Sequence, residues 1–198
     1  MPLPQENYYT VQDYYNIPED AHVELIDGHF YNMSAPNRVH QDLIAELILI
    51  IRSHIKKNGG KCRAYPAPFS VQLQKDKDTV VEPDISVICD HDKLNERGCL
   101  GAPDWIIEIV SPSNTSHDYI TKLSLYSVSG VREYWIVDPL TKRIHVYNFD
   151  QSNLLVNVYT FQDVLLKLES QTHIPRFRLH RTSELQRCVP YLLLMISS

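Results

Sequence analysis

Residues 105–110 read Trp-Ile-Ile-Glu-Ile-Val. Five of the six are apolar, which predicts a β-strand buried on both faces, as in the middle of a sheet covered by helices. Glu108 is the exception. An ionised carboxylate in such a place is costly, so it normally pairs, neutralises or binds a metal.

Upstream, residues 80–88 read Val-Val-Glu-Pro-Asp-Ile-Ser-Val-Ile. This too predicts a strand, with Asp84 directly after a proline. Proline suits a strand's beginning or an irregular point where a side chain is re-aimed. Two acids on neighbouring strands make an oxygen-only site suited to Mg²⁺, which takes one or two carboxylates and keeps several waters. The plainer alternative is that Glu108 meets a buried Arg or Lys and Asp84 caps a turn.

Downstream, Ser-Pro-Ser-Asn-Thr-Ser at 111–116 supplies N-caps for a helix near 116–129, with Gly130 as its stop. Asp118 and Lys122 fall four apart on one face of it, a spacing that also describes an ordinary surface ion pair. Upstream, Leu43, Ile44, Leu47, Ile48, Ile51 and Ile55 recur every three or four residues, and Gly59-Gly60 follows. That is an amphipathic helix. His40 near its start reads as a structural or solvated residue rather than a ligand. Residues 10–16 predict a short helix before Pro18, and Asp27-Gly28 between β-prone runs predicts a hairpin. Glu24 lies on its first strand and, on local sequence, reads as an exposed strand residue. Further strands are predicted at 61–65, 68–73, 133–138 and 143–149. Helices mixed with a sheet of several strands give an α/β (α+β) architecture.

The chain has 198 residues, 43% of them hydrophobic and 22% charged, enough for one real core, and a formal net charge of −5. Any nucleic-acid contact must then come from a local basic patch. The start shows no secretory pattern, and runs such as 43–51 are too short to span a bilayer, which predicts a cytoplasmic protein without membrane contact. Cys62, Cys89, Cys99 and Cys188 lack metal-site spacing and read as reduced thiols. Cys89-Asp90-His91-Asp92 reads as a polar turn after a strand. Neither a G-x-S-x-G elbow nor a P-loop occurs.

Taken in order, several landmarks resemble the Uma family of the PD-(D/E)XK restriction-endonuclease-like superfamily. They are Glu24-Leu25-Ile26-Asp27-Gly28, Met33-Ser34-Ala35-Pro36 with His40, Glu82-Pro83-Asp84-Ile85-Ser86, and Gly101-Ala102-Pro103-Asp104 running to Glu108-Ile109-Val110-Ser111-Pro112-Ser113. Asp118, Lys122, Tyr126 and the run 130–138 complete the set. The resemblance covers Tyr8 to Tyr159. It implies a restriction-endonuclease-like central mixed sheet flanked by helices, with Asp84 and Glu108 as the two motif acids. The superfamily's lysine normally sits two residues after the second acid, and here that residue is Val110. Lys122 on the following helix is the expected substitute.

The resulting expectation is an endonuclease domain over 1–163 and a tail, 164–198, of no assigned structure. Asp84 and Glu108 would bind Mg²⁺ or Mn²⁺, and Lys122 would stabilise developing charge or orient the attacking water. Glu24 would help position the metal-bound water, and DNA would be the substrate. The alternative is a catalytically inactive fold acting as a binding or assembly protein, which Val110 favours. A homodimer is expected, through edges left by the Asp27-Gly28 hairpin and the strands at 133–138 and 143–149.

Overall fold

A computed structural model describes residues 7–18, 21–111, 117–150 and 155–160; the tail from 164 lies outside the described residues. The chain begins with α1 (Val11–Tyr15), opened by a capping box between Thr10 and Asp13. The hairpin β1 (Val23–Ile26) and β2 (His29–Asn32) follows. Its turn has Asp27 at φ 47° and Gly28 at φ 77°, the paired positive values of a tight hairpin turn, as Asp-Gly predicts. Helix α2 (Arg38–Lys57) starts at Asn37, whose side chain accepts the His40 N–H.

The remaining strands are β3 (Arg63–Pro66), β4 (Val71–Gln72), β5 (Val80–Val81), β6 (Ile85–Ile88), β7 (Leu94–Asn95), β8 (Gly98–Leu100), β9 (Trp105–Ile109), β10 (Glu133–Asp138), β11 (Arg143–Asn148) and β12 (Leu155–Thr160). Between β9 and β10, a π-helical turn (His117–Lys122) runs into α3 (Leu123–Ser129). Gly130 ends α3 at φ 94°, a left-handed position that glycine takes without a Cβ clash.

The strands form two six-stranded mixed sheets, in the orders β2-β1-β5-β4-β8-β7 and β12-β11-β10-β9-β6-β3. The second is the expected central sheet, with β9 and β10 parallel and its other pairs antiparallel. One of its faces packs against Leu43, Ile44, Leu47, Ile51 and Ile55 of α2, around the edge-on pair Trp105–Trp135 with ring centroids 4.5 Å apart. Each such side chain contributes about 1.5–3 kcal/mol when removed from water. The other face packs against Tyr126 of α3, against Ile26, Val71 and Val81 of the first sheet, and against Leu73 just after β4.

Four expectations need correction. Residues 80–88 are not one strand: β5 belongs to the first sheet and β6 to the second, and the chain crosses between them at Glu82-Pro83-Asp84. A proline has no N–H to continue a ladder, so the crossing falls there. The strand expected at 68–73 shrinks to Val71–Gln72. The strands at 133–138 and 143–149 are interior, because β12 covers β11, so among the described residues only β2 remains from the expected edges. Finally, Cys62 and Cys89 are not free thiols but a disulfide, with Cα atoms 3.9 Å apart. Arg63 pairs with Ile88 across β3 and β6, and the next position outward brings the two cysteines opposite each other. This removes the thiol argument for a reducing compartment. Cys99 is a buried thiol whose pKa burial pushes up to about 11. The Cys89–Asp92 stretch is the expected polar turn, capped by Asp90. Among the described residues no helix is long and apolar enough to cross a membrane.

Candidate active site

The chain crossing at Glu82-Pro83-Asp84 leaves two backbone donors outside any ladder, and carboxylates take both. Glu82 N–H donates to Glu24 Oε1 at 3.0 Å, and Asp84 N–H donates to Glu108 Oε2 at 3.4 Å. Asp84 returns the contact, its Oδ2 accepting the Ile109 N–H at 2.7 Å. Ile85 pairs with Ile107 in the sheet, and continuing that register sets Asp84 opposite Glu108. Asp84 and Glu108 therefore stand side by side at the ends of neighbouring strands.

The next side chains come from the helical segment after β9. Lys122 Nζ donates to Glu108 Oε1 at 2.9 Å and lies 3.1 Å from Glu24 Oε1. Tyr126, one turn further along, donates its hydroxyl to Glu108 Oε1 at 2.9 Å. Glu24, Glu108 and Lys122 are each no more than 5% exposed, so they hold one another in a low-dielectric setting. Burial, then the nearby charges of Glu108 and Glu24, pushes the Tyr126 hydroxyl well above its ordinary pKa and keeps it a donor at neutral pH. Three formal negative charges (Glu24, Asp84, Glu108) face one positive charge (Lys122), leaving two negative.

Each sequence-derived candidate thus has a place. Asp84, Glu108, Lys122 and Glu24 meet in one cluster; the side chain of Asp118 lies outside the described residues. The local reading of Glu24 as an exposed strand residue is corrected, because Lys122 draws it in. Val110 is buried, and its N–H donates to Val137 O. Among the described residues the ammonium that reaches Glu108 is that of Lys122, from the helical segment.

Three further residues join the site without a role expected from the sequence, where His40 reads as structural or solvated and Tyr126 only as a family landmark. His40 Nε2 lies 3.1 Å from Asp84 Oδ2, across 44 positions of chain, and no local pattern signals that contact. Tyr126 sits four residues after Lys122, a spacing that puts both on one helix face and was a usable signal. Tyr14 of α1 donates to Glu82 Oε1 at 2.9 Å and fixes the residue at the crossing.

Among the described residues no group of three or more His, Cys, Asp and Glu side chains is arranged to hold a metal ion. The donor chemistry still suits a hard cation that needs few protein ligands. Among the described residues the hydrogen bonds accepted by Asp84's carboxylate fall on Oδ2, leaving Oδ1 as an acceptor. Mg²⁺ asks for one or two such oxygens and fills the rest of its shell with water and substrate.

An uncharacterised protein of Synechocystis sp. (strain ATCC 27184 / PCC 6803 / Kazusa), slr1290, is 25% identical over 147 residues, covering 73% of this chain and 76% of that one. The fold is that of a crystal structure from Anabaena variabilis ATCC 29413, described as a "putative nuclease belonging to DUF820". It matches with a TM-score of 0.63 at 22% identity, over 92% of this chain and 98% of the other. A family model, Uma2, described as "Putative restriction endonuclease", matches residues 11–175, a span that contains the whole cluster, and the chain belongs to that family.

Proposed function

We propose that the chain is a divalent-cation-dependent endonuclease that hydrolyses phosphodiester bonds, with DNA as substrate. The observation that carries this reading is the buried cluster in which Asp84 and Glu108 adjoin and Lys122 reaches Glu108 from another element. The family's description and that of the Anabaena structure support the same class of chemistry.

Asp84 and Glu108 would hold Mg²⁺ or Mn²⁺, and the cation, when bound, supplies Lewis acidity at the phosphate and a lowered pKa for a bound water. The remaining work falls to the chain's own groups. Water attacks phosphorus and gives up a proton, the bond to the leaving deoxyribose oxygen breaks, and that oxygen takes up a proton. Negative charge grows on the non-bridging oxygens as this happens. The Lys122 ammonium offsets that charge or orients the water, and it does so strongly because the site excludes solvent. Glu24 holds Lys122 as a second carboxylate partner and helps aim the water. The Tyr126 hydroxyl keeps Glu108 in one rotamer.

The test is conversion of supercoiled plasmid to nicked circles after the protein has been stripped with chelator. Activity that is absent in chelator and returns on adding Mg²⁺ or Mn²⁺ is the expected result. No cleavage with either cation, by a folded protein that still retards DNA in a gel, selects the inactive binding-protein alternative.

A further inference from the structure

Helix α2 covers one face of the second sheet, yet its first turn reaches the end of β6, where Asp84 stands. Asn37 caps the helix by accepting the His40 N–H at 3.0 Å, which fixes the backbone from which the imidazole projects. His40 and Asp84 side chains are only 12% and 14% exposed, so water competes weakly for their contact. An ionised carboxylate only accepts hydrogen bonds, so the imidazole serves it with the proton on Nε2.

The distribution of donors over Asp84 is uneven. Oδ2 receives both the Ile109 N–H at 2.7 Å and His40 Nε2 at 3.1 Å, while Oδ1 receives none among the described residues. Two donors on one oxygen fix the carboxylate's rotation and leave its second oxygen for another ligand. Glu108 differs, accepting from Lys122 and Tyr126 on Oε1 and from the Asp84 N–H on Oε2. Asp84 is thus the acid clamped through one oxygen, by donors from different elements.

We propose that His40 is a positioning residue of this centre, its Nε2–H holding Asp84 Oδ2 so that Oδ1 is presented to the divalent cation. The inference rests on the reading of Asp84 as a cation ligand. Hydrogen-bonded partners of metal-ligating carboxylates tune affinity, and their loss typically costs on the order of 10–100-fold in metal affinity or activity.

The test is Mn²⁺ binding by isothermal titration calorimetry, alongside plasmid nicking, for wild type, His40→Gln and His40→Phe. Glutamine keeps an N–H donor near the Nε2 position; phenylalanine keeps the ring's volume and loses the donor. His40→Phe should weaken Mn²⁺ binding on the order of 10–100-fold, with His40→Gln within about threefold of wild type. A packing role predicts the reverse order, and that order, or equal binding by all three, overturns the inference. Should His40→Phe not fold, His40→Ala made with and without Asp84→Asn decides the matter. The alanine change should weaken binding only where Asp84 is intact, and an equal effect in both backgrounds overturns the inference. A wild type that binds Mn²⁺ and nicks DNA, with no difference among the His40 variants, overturns this inference alone. A wild type that binds no cation overturns it together with the nuclease reading.

Discussion

Lys122 Nζ lies 2.9 Å from Glu108 Oε1, although the two residues come from a helical turn and a strand and both are almost fully buried. Breaking a buried pair by removing one partner costs about 3–5 kcal/mol, because the remaining charge stays out of water without compensation. Lys122→Met strands two carboxylates, Glu24 and Glu108. It should lower stability by about that amount in metal-free urea denaturation and abolish plasmid nicking. Added Mg²⁺ should restore part of the stability and none of the cleavage. Nicking near the wild-type rate would contradict the role given to Lys122.

Tyr126→Phe removes one donor from Glu108 Oε1 and leaves the ring packed edge-on against Tyr134, with centroids 4.9 Å apart. A hydrogen bond to a charged group contributes about 1.5–3 kcal/mol, so the loss should be of that size in chemical denaturation. Cleavage should persist at a reduced rate, since Lys122 still holds the same oxygen.

The Cys62–Cys89 bond closes a loop across a separation of 27 residues, for which chain entropy gives about 3.5 kcal/mol of stabilisation. Reductant, or the double change Cys62→Ser with Cys89→Ser, should lower the thermal midpoint. Intact-mass analysis after alkylation without reductant should find both cysteines unlabelled.

Glu133 offers a pH test away from the site. Burial raises its carboxyl pKa above the usual value, against a smaller lowering by the Trp135 indole N–H that donates to it. The folded state therefore holds the proton more tightly than the unfolded chain. The associated stability is fully present below the ordinary glutamate range and is lost as pH rises through the raised folded value. Glu133→Gln should raise the thermal midpoint at pH 7, and the gain should vanish near about pH 3, well below the ordinary glutamate pKa of about 4.3, where the residue is protonated in both states. An equal gain at both pH values would contradict this.

Where a signal in the chain was local, the sequence carried it. Residues 133–138 form β10 over the span their apolar run implies, and α2 buries the stripe its periodicity marks. The 80–88 run misled because β-branched residues lie on both sides of Pro83, and composition does not register a change of sheet. Strands of two residues, such as β5 and β7, are too short to show any period. The Cys62–Cys89 bond follows from the register of β3 on β6, a long-range fact. Within the site, Asp84 and Glu108 were legible as acids in apolar surroundings. Glu24 was not, because its burial depends on an ammonium 98 positions away. The expected pairing of Asp118 with Lys122 falls on a side chain outside the described residues, while Glu108 and Glu24 do meet Lys122.

The most direct test of the central claim is plasmid nicking in Mg²⁺ by wild type and Glu108→Gln, side by side. Glutamine's carbonyl oxygen can still accept from Lys122 and Tyr126, so the fold should hold while the anionic ligand is lost. The expected result is nicked circles with wild type and none above background with a folded Glu108→Gln. Equal nicking by the two proteins, or none by wild type at any Mg²⁺ or Mn²⁺ concentration, would contradict it.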